Sequence, residues 1–231
     1  MNRPDGRAKD EMREIEAKVG IIPEADGSAM FRIGKTTAIA GVYGPKQAHP
    51  RHIEDPEKAV LRCYYNMYSF SVPERKRPGP NRRAIELGMV IKNALAPVIF
   101  LEEFPKTVID IFVSITQADA GTRCAAISAA SMALADAGIP MRGLVSAVAA
   151  GNINNEVVLD INKDEEDVEG ATDIPIAYNP GTKQVTLLQL DGNISPEKLK
   201  EAIKLGIKGA EMIHEIQKKA LKEKYVTNKS E

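Results

Sequence analysis

The 231-residue chain contains no tryptophan, and five phenylalanines and six tyrosines are all its aromatic residues. Large rings therefore cannot carry the core, which has to be built from Ile, Val, Leu, Ala and Met. The only cysteines, Cys63 and Cys124, lie in apolar surroundings at no metal-ligand spacing. This speaks against a secreted disulfide framework, fits a reducing cytoplasm, and leaves buried packing as their role. No apolar run reaches membrane-spanning length, and residues 1–14 are charged without an apolar stretch, so neither a membrane anchor nor a signal peptide is expected. A charge surplus is also missing. With 31 Lys and Arg against 32 Asp and Glu, the formal net charge is −1, and any nucleic-acid binding has to come from a local basic patch.

What remains is ordinary for a soluble globular protein, with 43% hydrophobic and 27% charged residues. The length allows one large domain or two tightly packed halves. Residues 15–22, 29–33 and 37–43 read as short antiparallel strands, separated by the turn signals Asp26-Gly27 and Gly34-Lys35. Residues 60–72 alternate in polarity with period two, as a two-faced strand does. Leu87, Ile91, Ala94, Leu95 and Val98 recur at helical spacing over residues 83–98, and a strand follows at 108–116. The next helix, 122–137, is small or apolar all round and belongs inside, with Gly138 as its C-terminal cap. Strands at 144–150, 156–161, 174–178 and 185–190 follow. A last helix is opened by Ser195 as cap and Pro196 at its first position, with an apolar stripe of Leu199, Ile203, Ile207, Ala210, Ile213 and Leu221. Rising polarity from Lys218 onward predicts fraying. Strands then helices, twice over, imply an α/β or α+β protein of two similar halves, 1–145 and 146–231, packed as one unit.

Four stretches carry chemistry. Residues 29–36 resemble a phosphate-binding loop, but the segment after Thr36 is short, β-branched and followed by Gly44-Pro45, so a hairpin is the better reading and a GTPase or ATPase is not expected. Gly121-Thr122-Arg123-Cys124 follows a strand and opens the buried helix, which offers one anion free N–H groups, a hydroxyl and a guanidinium. On its own, such a tripeptide is more often a plain helix cap. Residues 74–83 (Glu-Arg-Lys-Arg-Pro-Gly-Pro-Asn-Arg-Arg) place five cations in a loop near Tyr64, Tyr65, Tyr68 and Phe70. That composition suits RNA phosphates and stacked bases as well as it suits a solvated loop beside another subunit. Residues 164–169 are an acidic run, and Asp173 stands where the chain enters the core, a position for metal binding or proton donation.

Taken together, these stretches resemble the ribonuclease PH family over nearly the whole chain, and within it the catalytic subunits of the archaeal exosome. The carriers are Asp5-Gly6-Arg7, Ala25-Asp-Gly-Ser-Ala29, Val42-Tyr-Gly-Pro45, Glu74-Arg-Lys-Arg-Pro-Gly-Pro80, Gln117-Ala-Asp-Ala-Gly-Thr-Arg123, the segment from Ala133 to Met141, and Leu188-Leu-Gln-Leu-Asp-Gly192. The resemblance implies the ribonuclease PH fold and reversible phosphorolysis, in which inorganic phosphate removes the last nucleotide of single-stranded RNA as a diphosphate. It implies phosphate ligands at Arg83 (with Glu86), Gly121, Thr122, Arg123 and Cys124. It also implies an acidic pair, Asp167 and Asp173, for Mg2+ or Mn2+ and for protonation of the leaving oxygen. The loop at 162–170 is one residue longer than the family pattern, which sets Glu166 beside Asp167 for that role. RNA contacts fall on Arg62, Arg82 and the His49, Arg51 and His52 loop at the mouth of the site. A cytoplasmic six-membered ring with a related noncatalytic subunit, capped by RNA-binding proteins, is the expected assembly. Two rival readings stay open, a noncatalytic ring subunit that guides RNA and a homohexameric ribonuclease PH trimming tRNA ends.

Overall fold

The computed structural model describes residues 3–74, 77, 79 and 81–227. Of the basic stretch at 74–83, Arg75, Lys76, Pro78 and Pro80 lie outside the described residues. β1 (Ile15–Val19), β2 (Gly27–Ile33) and β3 (Thr36–Gln47) form an antiparallel meander. In β2, Ala29, Phe31 and Ile33 are buried while Met30 and Arg32 are less so, the alternation of a strand with one covered face. β3 is longer than expected. It passes through Gly44-Pro45 with a break in register between Tyr43 and Lys46, where the Gly44 N–H turns to the Asp26 carboxylate at 2.7 Å. Gly34 and Lys35 form the two-residue hairpin between β2 and β3, which disposes of the phosphate-loop resemblance.

β4 (Val60–Met67) and β5 (Thr107–Gln117) complete a five-stranded sheet in the order β1-β2-β3-β5-β4. β4 and β5 run parallel, which requires a crossover, and α1 (Arg82–Leu95) lies within it. Asn81 caps α1 by accepting from the Ala84 N–H at 2.8 Å. α2 (Thr122–Asp136) then runs through the middle of the molecule, ended by Gly138 at φ 71°. The second sheet is β7-β6-β8-β9, from β6 (Ser146–Ile153), β7 (Glu156–Leu159), β8 (Thr172–Asn179) and β9 (Gln184–Leu188). A short helix, α3 (Lys163–Glu166), precedes β8, and α4 (Pro196–Thr227) follows β9.

α2 packs on β2, β3 and β5 of one sheet and on β6 and β8 of the other. All eight residues of β6 are buried, because α2 covers one of its faces and α4 the other. One apolar cluster runs from Ala29 through both sheets to Ala220, so the halves share a core. A side chain at Gly27 would run into the α2 backbone at Ala133 and Ala137, so this glycine serves close packing rather than a turn.

α4 departs from the sequence reading twice. Its most buried line is Ala202, Gly206, Gly209, Ala210, Ile213, Gln217 and Ala220, while Leu199, Ile203, Ile207 and Leu221 flank it half-buried. The helix also does not fray at Lys218 but continues to Thr227, and near its end the Lys224 ammonium is paired with the buried carboxylate of Asp136, the last residue of α2. Gln217, fully buried, accepts from the Ser146 hydroxyl and donates to the Ser128 and Val145 carbonyls, stitching α4 to the join between the halves. Among the described residues, no helix is long and apolar enough to cross a membrane.

Candidate active site

The loop from β5 to α2 forms one wall. Ala120 and Gly121 both take the left-handed conformation, φ 55° and 66°, and turn the chain sharply into α2. The Thr36 hydroxyl fixes that loop by donating to the Ala120 carbonyl at 2.6 Å and accepting from the Asp119 N–H at 2.8 Å. Gly121 provides no side-chain cap, so the first N–H groups of α2, at Thr122, Arg123 and Cys124, keep their full capacity for an anion. Cys124 contributes only its backbone, since burial holds its thiol well above the ordinary range. Cys63, likewise a free thiol, is pushed up to about 12 by burial. The Arg123 guanidinium is steered by the Gln189 side-chain oxygen at 2.5 Å, and its Nε is buried without a protein partner.

Asp173, near the start of β8, faces this wall. Its backbone exchanges hydrogen bonds with Asp191 at 2.9 and 2.8 Å, which sets the carboxylate at the strand mouth. Oδ1 of Asp173 is buried and has no hydrogen-bond partner. Burial pushes this carboxyl up to about 6, against the opposing charges of Arg123 and Arg83 and with help from Glu166 and Asp191. Arg123, Arg83, Glu166 and Asp191 therefore all stand near enough to act on the Asp173 carboxyl. A cavity of about 160 Å³ opens beside them, lined by Ile161, Glu166, Ala171, Thr172, Asp173, Asp191 and Gly192. By the same measure a single water needs only about 10–15 Å³, so the space suits a hydrated ion or a phosphoryl group.

Of the two neighbouring acids, Glu166 lines the cavity beside Asp173. Both acids are exposed beside Lys163: Glu166, the last helical residue of α3, reaches the cavity and lies 3.8 Å from the Lys163 ammonium, and Asp167, one step further round, is paired with it at 2.6 Å. Asp167, expected from the family resemblance as the partner of Asp173, stands next to Glu166 at the end of α3 and does not line the cavity. Asp191 and Gln189 are site residues to which the sequence reading gave no role, although they lie in the Leu188–Gly192 stretch that it singled out. Among the described residues, no group of three or more His, Cys, Asp or Glu side chains is gathered closely enough to enclose a metal by itself. Magnesium binds through one or two carboxylates together with water and substrate phosphates, and Asp173 with Glu166 meets that requirement. The orphaned Oδ1 of Asp173 is the atom that fits it best.

Arg82 and Arg83 open α1 and are exposed. Arg83 stands close enough to act electrically on Asp173 and on Tyr65. Tyr65 is not a stacking platform. It is buried under α1, its hydroxyl set against Thr122 with no hydrogen bond of ordinary length. Tyr64 and Tyr68 remain exposed, stacked on Phe112 and Phe70.

Arg62 is paired in this structure. Its fork grips Asp110 at 2.5 and 2.7 Å, and its remaining nitrogen reaches the His49 carbonyl at 3.2 Å, so it props up the loop instead of offering a free cation. His49, Arg51 and His52 are exposed on that loop. Asp110, opposite Arg62, is seven residues before the end of β5, which puts the loop about 23 Å from Gln117 and the phosphate wall at 3.3 Å per residue. These residues do not line the cavity.

Residues 11–140 match the "3' exoribonuclease family, domain 1" and residues 143–209 match domain 2 of the same family. The chain is 55% identical to the exosome complex component Rrp41 of Pyrococcus furiosus over 224 residues, 97% of this chain and 89% of that protein. It is 50% identical to that of Nitrosopumilus maritimus over 229 residues, 99% of this chain and 93% of that protein. Among solved structures, rice Rrp46 superposes with a TM-score of 0.85 at 26% identity, covering 95% of this chain and all of that one. A chain of the Archaeoglobus fulgidus exosome with RNA bound to its active site shares the fold, with a TM-score of 0.80 at 22% identity over 93% of this chain and 92% of that one. On the match of both halves and on identity of this extent, the chain belongs to the 3′ exoribonuclease family of ribonuclease PH, in its branch of exosome subunits.

Proposed function

We propose that the chain is the catalytic subunit of an archaeal exosome ring and degrades single-stranded RNA from the 3′ end by phosphorolysis. The observation that carries this reading is the buried, unpartnered Oδ1 of Asp173, facing Arg123 beside the open N-terminus of α2. The N–H groups of residues 122–124, with Arg123 and Arg83, hold inorganic phosphate and aim it. One of its oxygens attacks the phosphorus of the last phosphodiester. The bond to the 3′ oxygen breaks, the terminal nucleotide leaves as a nucleoside diphosphate, and the chain is one residue shorter. With its pKa raised towards neutrality, Asp173 is suited to give the departing 3′ oxygen its proton and to take one back in the reverse, tailing direction. Asp173 and Glu166 are the residues that would hold magnesium, which when bound supplies charge neutralisation at the phosphates. His49, Arg51, His52 and Arg82 suit RNA further from the cleaved bond.

A six-membered ring with a related noncatalytic subunit and RNA-binding cap proteins in the cytoplasm is the assembly that goes with this reading. Labelled single-stranded RNA, incubated with the purified chain with and without its ring partner, tests it. Release of nucleoside diphosphates that depends on added inorganic phosphate is the expected result. Release of monophosphates without phosphate would overturn it, and binding without shortening would favour a guiding subunit. Full activity of the chain as its own hexamer would favour a tRNA-trimming ribonuclease PH.

A further inference from the structure

Arg13 belongs to none of the residue sets above, yet it touches both walls of the site. Its Nε and Nη2 donate to Asp160 at 2.8 and 2.6 Å, and its own backbone N–H donates to the same carboxylate at 2.8 Å. Its Nη1 donates to the Asp119 carbonyl. Asp119 stands two residues before Gly121 in the phosphate wall. Asp160 immediately precedes Ile161, which lines the cavity, and leads into α3 and Glu166. The Arg13 side chain is only 7% exposed and that of Asp160 only 3%. Burial of this kind holds a guanidinium in one place, and the Asp160 carboxylate more than offsets the cost, raising the Arg13 pKa despite desolvation.

Backbone strain points the same way. Ala120 and Asp160, one in each wall, both have left-handed φ values, 55° and 54°, although neither is glycine. Such conformations crowd a residue with a Cβ and persist only where the surroundings hold them. Here the holder on one side is the Arg13 fork on the Asp160 carboxylate. On the other it is the Nη1 bond to the carbonyl next to Ala120, alongside Thr36. The Lys163 N–H adds a longer link to Asp119 at 3.4 Å.

We infer that Arg13 is a positioning residue for the reaction: its guanidinium ties the phosphate-binding loop to the acidic loop and fixes the gap across which phosphate meets Glu166 and Asp173. This rests on the phosphorolytic reading for its catalytic meaning and not for its geometry. Only a planar fork reaches three acceptors in two segments at once, so lysine cannot substitute.

The test uses the full chain carrying Arg13→Lys, and Asp160→Asn as a second variant that removes the anchor while keeping its shape. Amide hydrogen exchange in residues 118–122 and 161–166 is expected to rise together by about tenfold, with α2 and β6 unchanged. In the assembled enzyme, well below the unfolding temperature, kcat should fall about 100-fold with KM for RNA within about twofold, the signature of reacting groups misplaced by an ångström. Loosening of one loop alone, or of neither, in a folded variant would overturn the inference. So would a loss of activity no larger than the loss of folded protein. If the unmodified chain releases no nucleoside diphosphate, the phosphorolytic reading fails, while the exchange data still decide whether Arg13 couples the two walls.

Discussion

Arg3 and Glu165 form a fork-to-fork ion pair across 162 residues of sequence, at 2.7 and 2.8 Å, with side chains only 2% and 1% exposed. Arg3 also donates to the carbonyls of Leu159 and Asp160 at 2.8 and 2.9 Å. The N-terminal segment is therefore bound into the second half of the protein, directly behind α3.

Removing one partner of such a pair strands a buried charge. Arg3→Met is expected to lower stability by roughly 3–5 kcal/mol in urea unfolding, and a loss under about 1 kcal/mol would show that the pair contributes little. The pH dependence has a definite sign. Burial raises the Glu165 pKa, but the Arg3 hydrogen bonds, the Asn162 N–H and the charges of Arg3 and Arg7 outweigh it and hold the carboxyl below its ordinary 4.5. Its stabilisation is therefore fully present above pH 4.5 and is lost as pH falls through the lower folded value. Stability of Glu165→Gln should converge on the parent in acid.

Asp173 runs the other way. The folded protein keeps a proton up to about pH 6 that the unfolded chain releases near 3.8, so stability gained on acidification through 6 is absent at neutrality. Asp173→Asn never ionises. In magnesium-free buffer it should be about 1–3 kcal/mol more stable than the parent at pH 7.5 and equal to it below pH 4, while turnover disappears. Retained turnover would remove Asp173 from the mechanism.

Glu166 and Asp167 are neighbours with opposite expected fates. Glu166→Gln should reduce phosphorolysis by about 100-fold or more, as loss of a carboxylate at the reacting phosphates does, and raise the magnesium concentration needed. Asp167→Asn, which loses only an exposed pairing with Lys163, should stay within about twofold of the parent. The reverse ranking in an RNA-shortening assay would make Asp167, as the family resemblance implies, the partner of Asp173.

Arg123→Lys should raise KM for phosphate by about 10- to 100-fold, the value of a charge-assisted hydrogen bond, while RNA binding measured without phosphate stays unchanged. The lysine cannot keep both the Gln189 contact and the anion. Equal losses in RNA affinity would mean that Arg123 binds the RNA backbone instead.

The elements were legible in the sequence where local pattern decides them. The alternation in β2, the small and apolar run of α2, and the Pro196 start of α4 all lie where they read. The helix opening at Thr122 and Arg123 and the strand mouth at Asp173 were legible as places in the fold, while their roles came only from the family resemblance. The rest depended on distant partners. Lys224 near the end of α4 finds its partner in Asp136 at the end of α2, and Gln217 is a core residue only because Ser128, Val145 and Ser146 present matching groups. Arg13 reads as one more charge in a polar arm until Asp119 and Asp160 are seen on either side of it. Glu166 and Asp167 differ by a single step of helix, about 100° of rotation, and composition carries no information on that angle.

The alanines and serines of α2 set a thickness. This helix carries Arg123 at its start and packs between β2, β3 and β5 of one sheet and β6 and β8 of the other, where Asp173 lies, so its side-chain size acts as a spacer shim between them. Each methylene added at Ala129 or Ala133 would prise the sheets apart from within, and widen a distance measured at the far end of the same helix. Enlargement in this buried core is thus a way to detune the chemistry without touching any residue that meets the substrate.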